Sequence, residues 1–184
     1  MPRLIVSNIM SLDGFFESAE KKLDWFQRDE DFFSYARDML RATETLIFGR
    51  LTYEHMAAYW PSAPKEEIAD AMNNLPKIVF TRTLTKAAWN NTRLINTDPA
   101  EEIARLKRQP GGKTLTLLGS AALASYLLQK NLIDEYRVIL IPVLLGRGTP
   151  MFHGINEWVH FKLERTTPLK SGTIVLYYQP RQVR

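Results

Sequence analysis

Apolar residues are distributed along the chain in two patterns, short uninterrupted runs and longer stretches with helical spacing. Short apolar runs between turn residues are typical of buried strands, and apolar positions three to four residues apart are typical of helices that bury one face. The predicted strands cover residues 4–6, 45–48, 77–81, 92–95, 114–118, 133–141, 159–166 and 172–178. The predicted helices cover residues 29–41, 52–59, 65–73, 99–108 and 120–129. Residues 145–150 are predicted to form an irregular loop.

The order of these elements predicts the fold class. Strands and helices alternate as far as residue 141, and two strands joined by a turn at residues 168–171 follow. Alternation predicts a parallel sheet with helices on both faces, because parallel neighbours need a crossover connection, and the final pair predicts an antiparallel hairpin. We therefore expect an α/β protein, a three-layer αβα sandwich with a mixed, mainly parallel sheet of about eight strands. A chain of 184 residues is expected to form a single domain, residues 1–184.

Two of the predicted strands end in a glycine that is followed directly by a helix. One strand continues as Gly49-Arg50-Leu51-Thr52, and the other continues as Gly119-Ser120-Ala121. A glycine allows close approach of a ligand to the backbone, and the free N–H groups at the start of a helix attract anions. Ser120 is expected to cap its helix. Two such turns in one sheet predict a ligand with several phosphates, such as a dinucleotide.

Composition and charge narrow the class of function. The chain has 24 Lys and Arg against 20 Asp and Glu, with a formal charge of +4 and a pI near 9.3. This small, scattered excess favours an anionic small molecule, so no nucleic-acid partner is expected. There is no Cys, and the three His residues lack ligand spacing, so no metal site is expected. No segment reaches the roughly 18 apolar residues of a membrane span, so we expect a cytoplasmic protein without membrane contact.

Several short motifs, taken in their order along the chain, resemble those of the dihydrofolate-reductase-like superfamily. Within it, the chain is most similar to the reductase domain of the bacterial bifunctional riboflavin-biosynthesis deaminase-reductase. The motifs are Ser11-Leu12-Asp13-Gly14, Phe48-Gly49-Arg50-Leu51-Thr52-Tyr53-Glu54, Val79-Phe80-Thr81-Arg82, Leu118-Gly119-Ser120, and Ile133-Asp134-Glu135 leading into Ile141-Pro142-Val143-Leu144-Leu145-Gly146. The resemblance covers nearly the whole chain. It implies an NADPH-dependent reductase of a pyrimidine- or pterin-like heterocycle, most like 5-amino-6-(5-phosphoribosylamino)uracil reductase, and a homodimer.

The resemblance also implies which residues bind NADPH. They are Gly49, Arg50, Thr52, Thr81, Arg82, Gly119, Ser120 and Ala121. The first three and the last three correspond to two turns around the pyrophosphate, and Ser120 stands where the family more often has a second glycine. Arg82 corresponds to the 2′-phosphate site, and a guanidinium there favours NADPH over NADH. Purely structural interpretations remain open, since Arg50 can pair with Glu54 and residues 81–82 can form a surface turn.

The loop after the first strand is where the superfamily closes over nicotinamide, so the resemblance places Asp13 and Gly14 at the active site. Trp25 and Phe32 are candidates to contact a planar heterocycle, with core packing as the alternative for Phe32. The carboxylate that anchors the pterin in dihydrofolate reductases corresponds to Lys22, which argues against efficient folate reduction unless a neighbouring carboxylate replaces it.

Asp13 and Asp31 are therefore the candidate catalytic residues, and a helix-start charge is the other interpretation of Asp31. Two alternative functions stay open, a dihydrofolate reductase and a non-catalytic nucleotide-binding domain on the same fold. The apolar segment 138–145, with Met151 and Phe152, is a candidate subunit interface.

Overall fold

The computed structural model describes residues 1–111 and 114–181. The strands are β1 (Arg3–Ser11), β2 (Phe15–Ser18), β3 (Thr43–Gly49), β4 (Lys77–Phe80), β5 (Thr92–Ile95), β6 (Thr114–Leu118), β7 (Glu135–Ile141), β8 (Gly148–Pro150), β9 (Phe161–Pro168) and β10 (Ile174–Pro180). The α-helices are α1 (Glu30–Arg41), α2 (Arg50–Tyr59), α3 (Glu67–Asn74), α4 (Pro99–Lys107) and α5 (Ala121–Gln129), and a 3-10 turn (Trp60–Ser62) follows α2.

Eight of the strands form one sheet in the order β5-β4-β3-β6-β1-β7-β10-β9. The six strands from β5 to β7 are parallel, and β10 and β9 join them in antiparallel fashion. The predicted mixed sheet with a terminal hairpin is confirmed. The carboxyl ends of the parallel strands therefore meet at one edge, where loops from distant parts of the chain come together.

Alternation along β1 divides the core into two layers. Leu4 and Val6 pack with residues of α4 and α5 on one face of the sheet. Ile9 points to the opposite face, where α1 covers the sheet, and α2 and α3 pack beside α1 over β3 and β4. Among the described residues, no helix combines the length and the apolar character that a bilayer span requires.

Two features differ from the predictions. β1 extends to Ser11, whereas the prediction ended the strand at residue 6. The prediction was too short because polar Ser7 and Asn8 interrupt the apolar run, although both are buried in the sheet. The predicted loop at 145–150 contains β8, which pairs with β2 in a small antiparallel sheet beside the main one. A pair of such short strands, separated by about 130 residues, has no local signal in the sequence.

Candidate functional site

The two glycine turns lie side by side, because β3 and β6 are neighbouring parallel strands. A Cβ atom on Gly49 would lie 2.2 Å from Ser120 Oγ, and one on Gly119 would lie 2.6 Å from Thr52 Cγ2. Real Cβ atoms do not approach other atoms so closely, so each glycine is required by the residue that faces it. The two strand ends thus form one continuous backbone surface.

The helices that start at these turns have no side-chain caps. Neither Gly49 before α2 nor Ser120 before α5 makes a capping side-chain bond, and neither helix has an acidic residue in its first turn. By contrast, α1 and α4 begin with the caps Asp29 and Asp98 and carry two acidic residues each in their first turns. Since a carboxylate at a helix start would compete with a bound anion, the uncapped starts of α2 and α5 suit phosphate.

The expectation that Ser120 caps α5 is wrong. Its backbone is left-handed, with φ 55° and ψ 69°, and this conformation directs the side chain toward Gly49 instead of the first N–H groups of α5. A left-handed residue with a Cβ is strained by about 1–2 kcal/mol. Strain of this kind concentrates at ligand sites, where the surrounding structure holds it in place.

Five of the eight residues predicted to bind the cofactor line one cleft of about 400 Å³ at the carboxyl edge of the sheet, namely Gly49, Arg50, Thr81, Arg82 and Ser120. The other three border it, since Thr52 and Gly119 face each other and the buried Ala121 opens α5. Asn96, Thr97 and Pro99, which follow β5, also line the cleft and were not predicted. The rule that ligands bind beyond the ends of parallel strands could have identified them.

Two arginines line this cleft, and they differ in whether their side chains are paired. Arg50 pairs with Glu54 at 2.9 Å, as its structural interpretation predicts, but both side chains are about 40% exposed, and such pairs are weak. Arg82 is exposed, and within the described residues its side chain makes no hydrogen bond or ion pair. Thr81 Oγ1 accepts hydrogen bonds from the backbone N–H groups of Thr83 and Leu84, at 3.2 and 3.0 Å. Its hydroxyl therefore shapes the turn that presents Arg82.

The two candidate catalytic carboxylates both hold loops. Asp13 accepts hydrogen bonds from Ser11 Oγ at 2.6 Å and from the backbone of Leu145 and Gly146 at 3.1 and 2.7 Å. These bonds, the one from Ser11 first, keep the pKa of Asp13 below its usual value. Asp31 accepts a hydrogen bond from the backbone of Lys170 at 3.1 Å. Whether either residue acts in catalysis stays a prediction.

The predicted substrate-binding residues lie at two places around the end of β1. Gly14 occupies the turn after β1 with φ +87°, and its carbonyl accepts a hydrogen bond from Met151 N at 2.9 Å. Trp25 and Phe32 are partly buried and pack against the cluster around Ile9, on the α1 face of the sheet. In residues 1–111 and 114–181, no group of three His, Asp or Glu side chains is arranged to hold a metal ion.

The sequence analysis missed one polar cluster beside these residues. Tyr35 on α1 places its hydroxyl 2.9 Å from Ser7 Oγ on β1, and Arg137 on β7 lies beside both. A polar residue inside an apolar strand run, such as Ser7 between Val6 and Ile9, is the only local signal for it.

The mixed sheet and the two helix starts at its carboxyl edge define a protein of the dihydrofolate-reductase-like fold. A model of the family described as the RibD C-terminal domain matches residues 2–175, and the chain belongs to this family. It is 30% identical over 180 residues to the uncharacterized protein YyaP of Bacillus subtilis, covering 96% of this chain and 94% of that protein.

Solved structures resemble it in fold. One is a putative riboflavin biosynthesis protein from Shewanella sp. PV-4, with 20% identity, a TM-score of 0.78, and coverage of 98% of this chain and 99% of that chain. Another is a diaminohydroxyphosphoribosylaminopyrimidine deaminase/5-amino-6-(5-phosphoribosylamino)uracil reductase from Thermotoga maritima, with 15% identity and a TM-score of 0.72. That match covers 98% of this chain and 57% of the Thermotoga chain.

Proposed function

We propose that this protein is an NADPH-dependent reductase whose cofactor lies across the carboxyl ends of β3, β4 and β6. The observation that carries the proposal is the pair of uncapped helix starts, α2 and α5, that meet at one cleft with two arginines at its side. Unpaired N–H groups and guanidinium groups are the donors that phosphates require. Membership of a family of reductases supports the same assignment.

Each part of the cleft has a role in this proposal. The helix starts after Gly49 and Ser120 bind the pyrophosphate, and the free hydroxyl of Ser120 donates one further hydrogen bond to it. Arg82, which has no competing partner among the described residues, binds the 2′-phosphate. Arg50 exchanges its exposed pair with Glu54 for a phosphate, at little energetic cost.

For the substrate, we propose a pyrimidinedione such as 5-amino-6-(5-phosphoribosylamino)uracil, the compound in the name of the Thermotoga enzyme. The hydride of NADPH would reduce a ribosylamino group to a ribitylamino group, and the protein would supply orientation and a proton. A 2-aminopterin offers N–H donors that need a free carboxylate. Lys22 stands at the position that corresponds to the pterin-binding carboxylate, and Asp13 and Asp31 already accept backbone hydrogen bonds, which supports the pyrimidinedione over dihydrofolate.

Titration of the protein with NADPH and with NADH tests the cofactor. We expect NADPH to bind more tightly, and Arg82→Gln to raise its Kd about 10- to 100-fold while leaving the Kd of NADH unchanged, because only NADPH carries the 2′-phosphate. Arg108→Gln, an exposed arginine at the end of α4, is the matched control and should change neither Kd. Absence of NADPH binding at millimolar concentration would refute the proposal.

Turnover separates the remaining functions. Oxidation of NADPH with the phosphoribosylaminouracil, and none with dihydrofolate, is the expected result. Turnover of dihydrofolate would instead identify a dihydrofolate reductase, and NADPH binding without turnover of either compound would identify a non-catalytic nucleotide-binding domain.

We also propose a homodimer, in which only part of the predicted interface segment is accessible. Val138, Ile139 and Met151 are buried within the subunit, so the expectation of an interface is wrong for these members of the segment. Leu144 and Phe152 of the predicted set remain accessible, at 71% and 40% exposure. Sedimentation at the monomer mass of 21.2 kDa would refute the dimer.

A further inference from the structure

The cluster of Tyr35, Ser7 and Arg137 has no role in the cofactor site. Ser7 is only 5% exposed and lies in the middle of β1, and Arg137 is directly opposite it on β7. The Tyr35 hydroxyl and Ser7 Oγ are 2.9 Å apart, a normal hydrogen bond in which either oxygen can donate. Hydroxyl groups and a guanidinium grouped under a helix are costly to desolvate, so their position calls for a specific explanation.

The strand register places this cluster next to the proposed cofactor. Ser7 pairs with Leu118 on β6, and Gly119 follows one residue later. Tyr35 packs against both apolar clusters on the α1 face, the one that includes Leu118 and the one that includes Phe32. Tyr35 thus lies on the same face of the sheet as the aromatic residues predicted to contact the heterocycle, and its partner Ser7 lies beside the strand end that leads to Gly119.

The surroundings of Tyr35 keep its phenol protonated at neutral pH, so that it has a proton to donate. Burial raises the pKa of Tyr35, the Arg137 guanidinium opposes this rise, and the neighbouring Tyr177 hydroxyl reinforces it. Arg137 is in turn paired with Glu135 at 2.5 Å, and Arg165 stacks on the Tyr177 ring at 3.9 Å. Aspartates with lowered pKa, such as Asp13, carry no proton at neutral pH.

We propose that Tyr35 is the proton donor of the reduction, with Ser7 as the hydroxyl that passes the proton to the substrate. The inference rests on the proposed function. In the step, ring opening of the ribosylamino group forms a C=N bond, and NADPH gives its hydride to the carbon of that bond and becomes NADP⁺. The nitrogen takes the proton of Ser7, Ser7 takes the proton of Tyr35, and Arg137 stabilises the phenolate until solvent returns a proton.

The test compares Tyr35→Phe with Tyr136→Phe, which removes a buried phenol on the opposite face of the sheet. The assay follows NADPH oxidation with saturating 5-amino-6-(5-phosphoribosylamino)uracil. Tyr35→Phe is expected to lower the rate of hydride transfer about 10²- to 10⁴-fold with the Kd of NADPH unchanged, and Tyr136→Phe to leave both unchanged. The wild-type rate should decrease at alkaline pH as Tyr35 ionises, and this decrease should be absent in Tyr35→Phe.

The outcomes separate this inference from the proposed function. A Tyr35→Phe variant that keeps the wild-type rate, or its alkaline decrease, overturns the proton donor while the reductase stands. A wild-type protein that binds NADPH but does not turn over the substrate overturns both. If Tyr35→Phe fails to fold, Ser7→Ala replaces it, with an expected loss of at least about 10-fold in rate and an unchanged Kd for NADPH.

Discussion

Ser120 offers the sharpest test of the cofactor site, because stability and binding should respond to its removal in opposite directions. The residue holds a left-handed backbone at φ 55°, which glycine adopts without strain. Its hydroxyl lines the cleft and makes no capping bond to α5. Ser120→Gly therefore relieves strain in the protein and removes a donor from the proposed pyrophosphate site.

The two effects have different sizes. Relief of left-handed strain is worth about 1–2 kcal/mol, and the added flexibility of glycine in the unfolded chain returns about 0.5–1 kcal/mol. The net gain of about 0.5–1 kcal/mol corresponds to a rise in Tm of about 2 °C for a chain of this length. A hydrogen bond to a charged phosphate contributes about 1.5–3 kcal/mol, so the Kd of NADPH should rise about 10- to 100-fold.

Ser120→Ala is the matched control, because it removes the same hydroxyl and keeps the strain. We expect it to weaken NADPH binding as much as Ser120→Gly does, without the gain in stability. Thermal unfolding without ligand and fluorescence titration with NADPH measure the two quantities. Wild-type affinity in both variants would show that the hydroxyl does not contact the cofactor, and a Ser120→Gly protein less stable than wild type would refute the strained backbone.

Two further predictions concern the stability of the fold and are tested with three substitutions. Gly119→Ala should lower the free energy of unfolding by about 2–4 kcal/mol, since the residue has φ +67° and its new Cβ would overlap the Thr52 methyl group. Gly14→Ala is the control, because Gly14 has φ +87° but no heavy atom within 4 Å, and it should lower the free energy of unfolding by only about 1–2 kcal/mol. Equal losses in urea denaturation would contradict the predicted overlap. Hydrogen bonds from two arginines lower the pKa of Glu102 from 4.5 to about 2, so its contribution of at most about 3 kcal/mol is present above pH 4.5 and is lost as the pH falls toward 2. Glu102→Gln should flatten this acid dependence in denaturation curves recorded at several pH values, and an unchanged slope would show that the carboxylate is not paired.

The parts of the fold that follow from local pattern were predictable from the sequence. Apolar runs and helical spacing identified eight strands of the main sheet and all five α-helices, with errors confined mainly to their ends. The glycine turns were also predictable, because a strand, a glycine and a helix start occur within a few residues at Gly49 and at Gly119. Neither the β2–β8 pair nor the extension of β1 was predicted, since pairing and burial there depend on residues far away in the chain.

The sequence by itself therefore determined the order of elements, the class of fold and the two glycine turns, because each depends on neighbours within about one helical turn or one strand. Only the tertiary structure decided how the side chains are used. In the folded protein, Ser120 packs against Gly49, and Asp13 accepts hydrogen bonds from the backbone of residues 145 and 146. Ser7, Tyr35 and Arg137 come together from three different elements. These contacts depend on strand register and helix packing, which bring together residues that are far apart in the sequence.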